Sequence, residues 1–553
     1  MSGKRVKKEQ CIKEIIDSTN DSDKENKYNS ARRKRRRYNP TLSTSESEET
    51  EKPELQIDIP SSIKWTSKKP SPKIHDFTSH HSGVVGDNLN HSSKILDYFR
   101  LLFSEDLVKF IVERTNNYWC RQLKRDQLDA SEEMDVDELY CFIAASLLMT
   151  RIKKLSLKEY WSEDKLLRSD IFSLIMSKDR YFSLLKMLHF SDKTSRTADR
   201  LYKINKVVEM LRISFNNAFQ PYQRLCIDES LLLYKGRLSF KQYIRSKNSR
   251  FGIKSFLLCD CKTGYIQDII IYCKAGTTIA TKYQYIGKPG NIVMSLLQPF
   301  LNKGHTIYLD NWFSSPILFN LLHKNSTNAC GTVQRRQKEL PKITDKLKKG
   351  EAVFRSSENL LAMKWCHRKE FYMLSTIHTA EFAEVPKKSR KNEIILKPKC
   401  VIDYISSMDT IDKSDIAIST VDATCKSLKW YRKYFFHLID ICVWNAFCLY
   451  KHITEEQISM AKFHLQLIKE ILEEYHKNHE YHQYNGSENN YPTRLIGKHF
   501  PTVYESGKKN RKRRCVVCTA GGIRRESKYH CEQCNVGLCI SPCFENYHTK
   551  LQY

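Results

Sequence analysis

The chain has 553 residues, enough for two to four domains. Its 92 Lys and Arg outnumber 63 Asp and Glu, a formal net charge of +29, so the expected partner is a polyanion, with nucleic acid first. The longest apolar stretch, 436–450, is short and holds His437, Asp440 and Asn445, which excludes a membrane span.

Residues 1–10 are charged with no apolar core behind them, so no secretory signal is expected. Residues 1–92 are rich in Lys, Ser, Asp, Asn and Glu and predict a disordered region. Within it the block Arg32–Arg37 reads as a nuclear import signal or a loose DNA grip, and an acidic, serine-rich stretch follows at 43–54. From Ser93 apolar residues recur at helical spacing, first through 95–111, then at 139–149, 179–191 and 207–219. Between 225 and 332 the pattern turns to short β-branched and aromatic runs at 256–259, 266–272, 306–309 and 330–333, with Gly264, Gly276 and Gly304 as turns. Residues 315–323 read as a helix, so strands and a helix together predict an α/β sheet. A Lys-rich stretch, 335–350, precedes further strands at 361–365 and 371–377, and long helices are expected at 428–451 and 458–476.

Three acidic segments stand out. Asp228 follows a short apolar run, Asp310 ends a predicted strand, and Asp412 precedes a predicted helix. Carboxylates at strand ends and a helix start can converge although 82 and 102 residues separate them in sequence. Two divalent ions held there would activate an attacking oxygen and stabilise a leaving one at phosphorus. Each aspartate alone has a plainer reading as a cap or turn residue, Asp412 above all. Asp260 and Asp268 read as turn or surface residues, and Glu229 as support beside Asp228.

Around these residues run Gly-Arg-Leu-Ser-Phe-Lys-Gln-Tyr-Ile (236–244), Arg-Phe-Gly-Ile-Lys (250–254), Leu-Asp-Asn-Trp-Phe-Ser-Ser (309–315), Lys-Pro-Lys-Cys-Val-Ile-Asp-Tyr (397–404) and Lys-Ser-Leu-Lys-Trp-Tyr-Arg-Lys-Tyr-Phe-Phe-His (426–437). In this order, from about Ser93 to the C-terminus, they resemble the piggyBac family of DNA transposases. The resemblance implies an α/β ribonuclease-H-like catalytic core with an inserted subdomain, flanked by a discontinuous, mainly helical domain. The implied boundaries are 93–222 and 421–480 for the helical dimerisation and DNA-binding domain, 223–334 and 396–420 for the core, and 335–395 for the insertion. A basic linker, 481–512, leads to a cysteine-rich module, 513–553. It also implies that Asp228, Asp310 and Asp412 hold two Mg²⁺, with Asp415 as a fourth acidic residue beside them. The implied activity is cut-and-paste transposition by a homodimer in the nucleus, on double-stranded DNA with TTAA targets. Water would cut one strand, and the freed 3′-hydroxyl would form a hairpin end and, once that is opened, attack the target. The chain departs from the family at Thr410-Ile411, where Gly-Val is common, at Ile416 for a frequent Gln, and at Gln334-Arg335-Arg336 for Arg-Lys-Asn. A descendant that binds DNA without moving it is the rival reading.

Lys241, Arg245, Lys247, Arg250 and Lys254, interleaved with Tyr243 and Phe251, suit DNA phosphates, against the plainer reading of a solvated strand face. Trp312 and Phe313 beside Asp310 have two readings, stacking against a displaced base and, the plainer one, packing that fixes the loop. Six of 19 cysteines lie between Cys515 and Cys543 and the rest are scattered, which predicts a reducing compartment, buried single cysteines and metal thiolates at one end. Cys515, Cys518, Cys531, Cys534, Cys539, Cys543 and His548 have zinc-ligand spacing. The family likeness suggests a cross-brace of two ions. Seven clear ligands leave one or two zinc ions open, and His530 is a candidate eighth. By analogy with the family, the basic run 508–514 before the module favours contact with DNA at transposon terminal repeats.

Overall fold

The computed structural model describes residues 63–78, 82–86, 89–126, 133–192, 199–244, 251–279, 283–386, 394–423, 429–477, 499–503, 512–532 and 534–550. The chain divides into two compact units: residues 1–157 with 178–470, and residues 158–177 with 471–553. No helix among the described residues is long and apolar enough to cross a membrane.

The larger unit begins with helices α1 (Ile95–Leu102), α2 (Glu105–Asp126), α3 (Val136–Arg151), α4 (Lys178–Met187) and α5 (Asn205–Ala218). The apolar positions that predicted them are buried: Ile95, Phe99 and Leu102 on α1, and Val207, Leu211 and Phe215 on α5. Asp135 caps α3 by accepting the Glu138 N–H at 2.7 Å.

A nine-stranded mixed sheet follows. Its principal strands are β1 (Arg224–Leu233), β2 (Phe251–Asp260), β3 (Ile266–Ile271), β4 (Thr306–Leu309), β5 (Asn328–Val333), β6 (Ala352–Ser356), β7 (Leu361–Cys366) and β8 (Glu370–Ser375). Across the sheet they lie in the order β3, β2, β1, β4, β5, β8, β7, β6, and Gln242–Tyr243 pairs with the start of β2. Strands β1, β4 and β5 are parallel; β2 and β3 on one side and β8, β7 and β6 on the other are antiparallel to their neighbours. The segment 335–395 therefore gives three strands to this sheet, and its strand Phe382–Pro386 pairs separately with Ile394–Pro398, which runs past its end.

Alternation along the strands sorts side chains to two faces. Leu225, Ile227, Phe256, Leu258, Ile307 and Leu309 share one apolar core with helices α6 (Gly287–Leu297) and α7 (Pro316–Lys324). The opposite face meets α8 (Lys399–Thr420). Helix α9 (Trp430–Thr454) packs at β2 and β3: Tyr434 and Ser255 hydroxyls are 2.7 Å apart, and Asn445 exchanges two 2.8 Å hydrogen bonds with the Ile266 backbone. Helix Met460–Tyr475 follows it.

Three expectations are corrected. Part of the stretch predicted to be disordered is built into the unit. Thr66 and Ser356 exchange backbone hydrogen bonds of 2.7 and 2.8 Å along the β6 edge, and Trp65 Nε1 donates to the Glu339 carbonyl at 2.8 Å. His75 pairs with Asn328 and Phe77 packs on His305. A few spaced aromatic and polar anchors suffice where composition averaged over 92 residues hides them; Arg32–Arg37 lie outside the described residues. Second, Asp412 does not precede a helix but lies within α8, which starts after Pro398. Its Ser, Thr and Asp content reads as loop, yet Cys400, Ser407, Ile411, Ser414 and Ile418 are buried at helical spacing. Third, Asp260 and Asp268 are both buried, so neither is a surface residue, although Asp260 does hold the turn that follows β2. Asp260 accepts from the Tyr222 and Thr263 N–H groups, and Asp268 binds Arg212 through both oxygens, at 2.5 and 2.7 Å. Among the described residues eight of the eleven scattered cysteines are buried, as that reading expects, while Cys261 and Cys366 are half-buried and Cys120 is exposed.

Gly304 turns the chain into β4 at φ +73°, and an added Cβ would lie 1.8 Å from the Asp76 carbonyl oxygen. Gly304→Ala is expected to destabilise the larger unit by about 2 kcal/mol or more, through both left-handed strain and the clash, as read by urea denaturation.

In the smaller unit, short strands Pro501–Val503, Tyr529–Cys531 and Val536–Gly537 form one sheet, Arg513–Arg514 and Glu526–Ser527 another, and helix Cys543–Thr549 closes the module. Its buried cluster is Cys515, Cys518, Cys531, Leu538, Cys543 and Phe544.

Candidate active site and metal centre

Strand register brings two of the three aspartates together. Ile227 pairs with Leu309 in the parallel β1–β4 ladder, so Asp228 and Asp310 come next on neighbouring strands. Leu309 in turn pairs with Gly331, which sets Thr332 beside Asp310, and the Thr332 hydroxyl donates to Asp310 Oδ1 at 3.0 Å. Below Asp310 the loop is tied down: the Phe313 N–H and the Ser314 hydroxyl donate to its carbonyl at 3.1 Å each, and Ser315 caps α7. Trp312 stacks on Phe256 with centroids 5.2 Å apart and Phe313 is buried, so both aromatics pack the loop.

Helix α8 faces these strands. The Tyr404 hydroxyl lies 3.4 Å from that of Thr332; burial raises its pKa, and the Asp310 and Asp228 carboxylates raise it further. Nearer the start of α8 than the acidic stretch, Asp403 anchors the helix to the sheet: the Tyr308 hydroxyl donates at 2.5 Å, Arg224 pairs with it, and His378 Nε2 is 3.3 Å away. Burial alone would push the Asp403 carboxyl up, but the hydrogen bonds from His378 and Tyr308 and the Arg224 charge hold it below the usual range. Toward the other end Asp415 Oδ1 accepts the buried Ser230 hydroxyl at 2.8 Å, which places Asp415 over the strand that carries Asp228. Asp412 is exposed, one helical step before it. Ser230→Ala is expected to cost about 1.5–3 kcal/mol of stability, the range for a hydrogen bond to a charged partner, measured by urea denaturation.

Asp228, Asp310, Asp412 and Asp415 thus lie on β1, after β4, and on α8, about the same sheet face. Their carboxylate oxygens are the hard donors that magnesium takes. The carboxylates of Asp228, Asp310 and Asp412 do not close to within 4.8 Å of one another, the spacing that one shared ion requires; the groups that meet it among the described residues are both in the C-terminal module. Glu229 points to the opposite sheet face, where its carboxylate lies 3.8 Å from Lys254 Nζ. That ammonium also sits 4.7 and 4.8 Å from the Trp312 and Phe256 ring centres. Lys241 Nζ donates to the Gly236 carbonyl at 3.1 Å, while Arg245, Lys247 and Arg250 lie outside the described residues.

The module's ligands fall into two sets of four: Cys515, Cys518, Cys539 and Cys543, and His499, Cys531, Cys534 and His548. The sets interleave in sequence as a cross-brace. Within the first, Cys518 Sγ is 3.9 and 3.5 Å from Cys539 and Cys543 Sγ. Within the second, Cys534 Sγ is 3.5 Å from His499 Nδ1 and 3.7 Å from His548 Nε2, and Cys531 Sγ is 3.3 Å from His499 Nδ1. Donors around a tetrahedral zinc sit roughly 3.3–3.8 Å apart, given its bond lengths, so both sets fit. Burial raises the Cys515 thiol pKa, but hydrogen bonds from the Cys518 and Cys539 backbone and neighbouring thiols outweigh it and bring it down to about 7. The eighth donor is His499 rather than His530, which sits in strand Tyr529–Cys531 opposite Thr502. Sequence reasoning missed His499 because it lies well before the first cysteine of the module. The odd count of seven ligands was the available signal for one more.

A family model described as Transposase IS4 matches residues 96–447, and a DDE_Tnp_1-like zinc finger model matches 496–549. Human piggyBac transposable element-derived protein 3 is 22% identical over 470 residues, covering 82% of this chain and 76% of the relative. The chain belongs to the piggyBac transposase family. Human piggyBac transposable element-derived protein 5 is 23% identical over 427 residues, 73% of this chain and 79% of its own. Among solved structures, a piggyBac transposase in a synaptic complex with hairpin DNA superposes with a TM-score of 0.63 at 22% identity, covering 83% of this chain and 97% of the solved one. At that identity the likeness speaks for the fold, and the zinc finger match coincides with the two cross-braced ligand sets.

Proposed function

We propose that this piggyBac-family chain is a nuclear, magnesium-dependent cut-and-paste DNA transposase that works as a dimer on duplex DNA at TTAA targets. The observation that carries the reading is that Asp228 and Asp310 follow one another on adjacent parallel strands and Asp415, on the helix across them, meets Ser230 of the strand that carries Asp228, with Asp412 three residues before it on the same helix. The strand order β3, β2, β1, β4, β5, with β1, β4 and β5 parallel, supports a ribonuclease-H-like core. Magnesium bound to Asp228, Asp310 and Asp412 would polarise the scissile phosphate and assist the attacking and leaving oxygens. The chain's own residues fix the rest: Thr332 and the tied 310–315 loop orient Asp310, and Ser230 orients Asp415. Water first attacks phosphorus and releases a 3′-hydroxyl. That hydroxyl attacks the opposite strand and later, after the hairpin opens, the target. The formal charge of +29 supports a nucleic-acid substrate, and Arg32–Arg37 supports nuclear import.

A second reading, DNA binding without transposition, draws support from the open spacing of the three aspartates and from the names of the human relatives, which call them transposable element-derived. An excision assay on a reporter bounded by TTAA-flanked inverted repeats from around the coding sequence separates the two. Excision by the wild type and its loss in Asp310→Ala support the transposase; equal signals from both remove the enzymatic reading.

A further inference from the structure

Helix α8 carries Asp412 and Asp415, and its first turns hold a polar cluster that the proposed chemistry leaves unused. The helix lies across β8, β5, β4, β1 and β2, so the side chains it offers to Asp228 and Asp310 depend on its roll about its own axis. At 3.6 residues per turn, positions separated by whole turns share a flank. Asp403 and Thr410, seven residues apart, share one flank; Tyr404 and Asp415, eleven apart, share another. Asp412, nine residues after Asp403, stands on the side opposite to it.

The two flanks rest on different levels of the sheet. On the first, Asp403 pairs with Arg224, and the Thr410 hydroxyl lies 3.5 Å from the carbonyl of Cys261. The Cys261 N–H in turn donates to the Arg224 carbonyl at 2.9 Å, so both contacts hold that flank at the start of β1. On the second, Tyr404 meets Thr332 beside Asp310, and Asp415 meets Ser230, two residues beyond Asp228.

The contacts of Asp403 come from β4, β1 and the chain just after β8. Tyr308 on β4 is fully buried and donates at 2.5 Å, and the Arg224 guanidinium lies over its ring, 5.7 Å from the centroid. Ser375, at the end of β8, accepts the Ile377 and His378 N–H groups at 3.2 Å each, which leaves its hydroxyl hydrogen for His378 Nδ1 at 2.8 Å. The ring proton therefore sits on Nε2, which faces Asp403 at 3.3 Å. The buried stripe of Val401, Ile411 and Ile418 holds α8 to the sheet but is non-directional; hydrogen bonds on one flank are what fix the roll.

We infer that Asp403 is a positioning residue: gripped by Tyr308, Arg224 and His378, it sets the roll of α8 that turns Asp412 and Asp415 toward Asp228 and Asp310. The inference rests on the reading of those four carboxylates as a magnesium site.

The probe is Mn²⁺ added to the full-length, zinc-loaded protein, with the free ion followed by electron paramagnetic resonance. The wild type should bind Mn²⁺ at a site that Asp310→Ala removes. Asp403→Ala should weaken that site about tenfold, the lower end for groups that orient metal ligands. The magnesium concentration for half-maximal excision should rise by a similar factor. Adding Tyr308→Phe separates a purely structural role. Asp403→Ala leaves the buried Tyr308 hydroxyl without its acceptor, so the double variant should regain stability in urea while its Mn²⁺ affinity stays low. Recovery of both together overturns the positioning role and leaves the metal reading standing, as does Mn²⁺ binding by Asp403→Ala as tight as the wild type's or tighter. If Asp403→Ala does not fold, Arg224→Gln, which removes only the exposed arm, is read in its place: weaker Mn²⁺ binding supports the role, and unchanged binding overturns it. A wild type without Asp310-dependent Mn²⁺ binding overturns the metal reading and this inference with it.

Discussion

Stripping metal from the protein with a chelator is expected to unfold residues 499–550 while the larger unit keeps its own melting transition. The module's buried cluster consists of four cysteines with Leu538 and Phe544, too little apolar surface to hold some fifty residues without metal. Structural zinc supplies about 10–16 kcal/mol in small modules, more than the stability of most domains. The interleaved ligand sets make the two sites interdependent. Cys531 and Cys534 lie between the pairs that serve the first site, so loss of either ion frees chain belonging to both. His499→Ala should therefore lower bound zinc from two ions toward one or none by metal analysis, whereas His530→Ala should retain both. A His499→Ala variant with full zinc content would refute the assignment of the eighth ligand. Since His499 precedes the basic run 508–514, a peptide begun at Arg511 would lack one ligand of the second site.

Much of the larger unit was legible because its elements obey one period each. The run 306–309 alternates nothing and is buried on both faces, and it is strand β4. The helix expected at 428–451 is α9, Trp430–Thr454, because eighteen of its residues are buried along a strongly apolar pattern. Helix α8 was not legible: four aspartates and several Ser and Thr mask its buried positions, and only packing on the sheet makes them helical. The same limit explains Glu229. Neighbouring positions on a strand point to opposite faces, so adjacency to Asp228 in sequence places it away from that carboxylate in space. Cation patterns mislead for a related reason. Lys254 carries the charge that a phosphate contact needs, but its ammonium is held between Glu229 and two aromatic rings, which a charge count cannot reveal. His499 was hidden by distance along the chain, and its role follows from the strand Pro501–Val503 pairing with Tyr529–Cys531.

Replacing Asp310 with Ala is expected to reduce excision by about 10³-fold or more while leaving duplex affinity within a few-fold of the wild type. On the proposed reading, the loss of a metal-holding carboxylate would remove several kcal/mol of transition-state stabilisation, and each ~1.36 kcal/mol is a factor of ten. Asp228→Ala should match it, because the parallel register sets the two side by side. Asp412 and Asp415 divide the helix's contribution differently. Asp415 is already fixed by Ser230, whereas Asp412 is exposed and does not yet close on the other two. If Asp412 turns toward the other two when DNA and magnesium bind, Asp412→Ala should be as severe as Asp310→Ala. Glu229→Gln serves as the internal contrast: on the opposite face, it should lower stability through the Lys254 contact and change excision per folded molecule only a few-fold. Equal, thousandfold losses for Glu229→Gln and Asp228→Ala would place the reactive centre elsewhere, since one strand cannot present both neighbouring side chains to the same metal site.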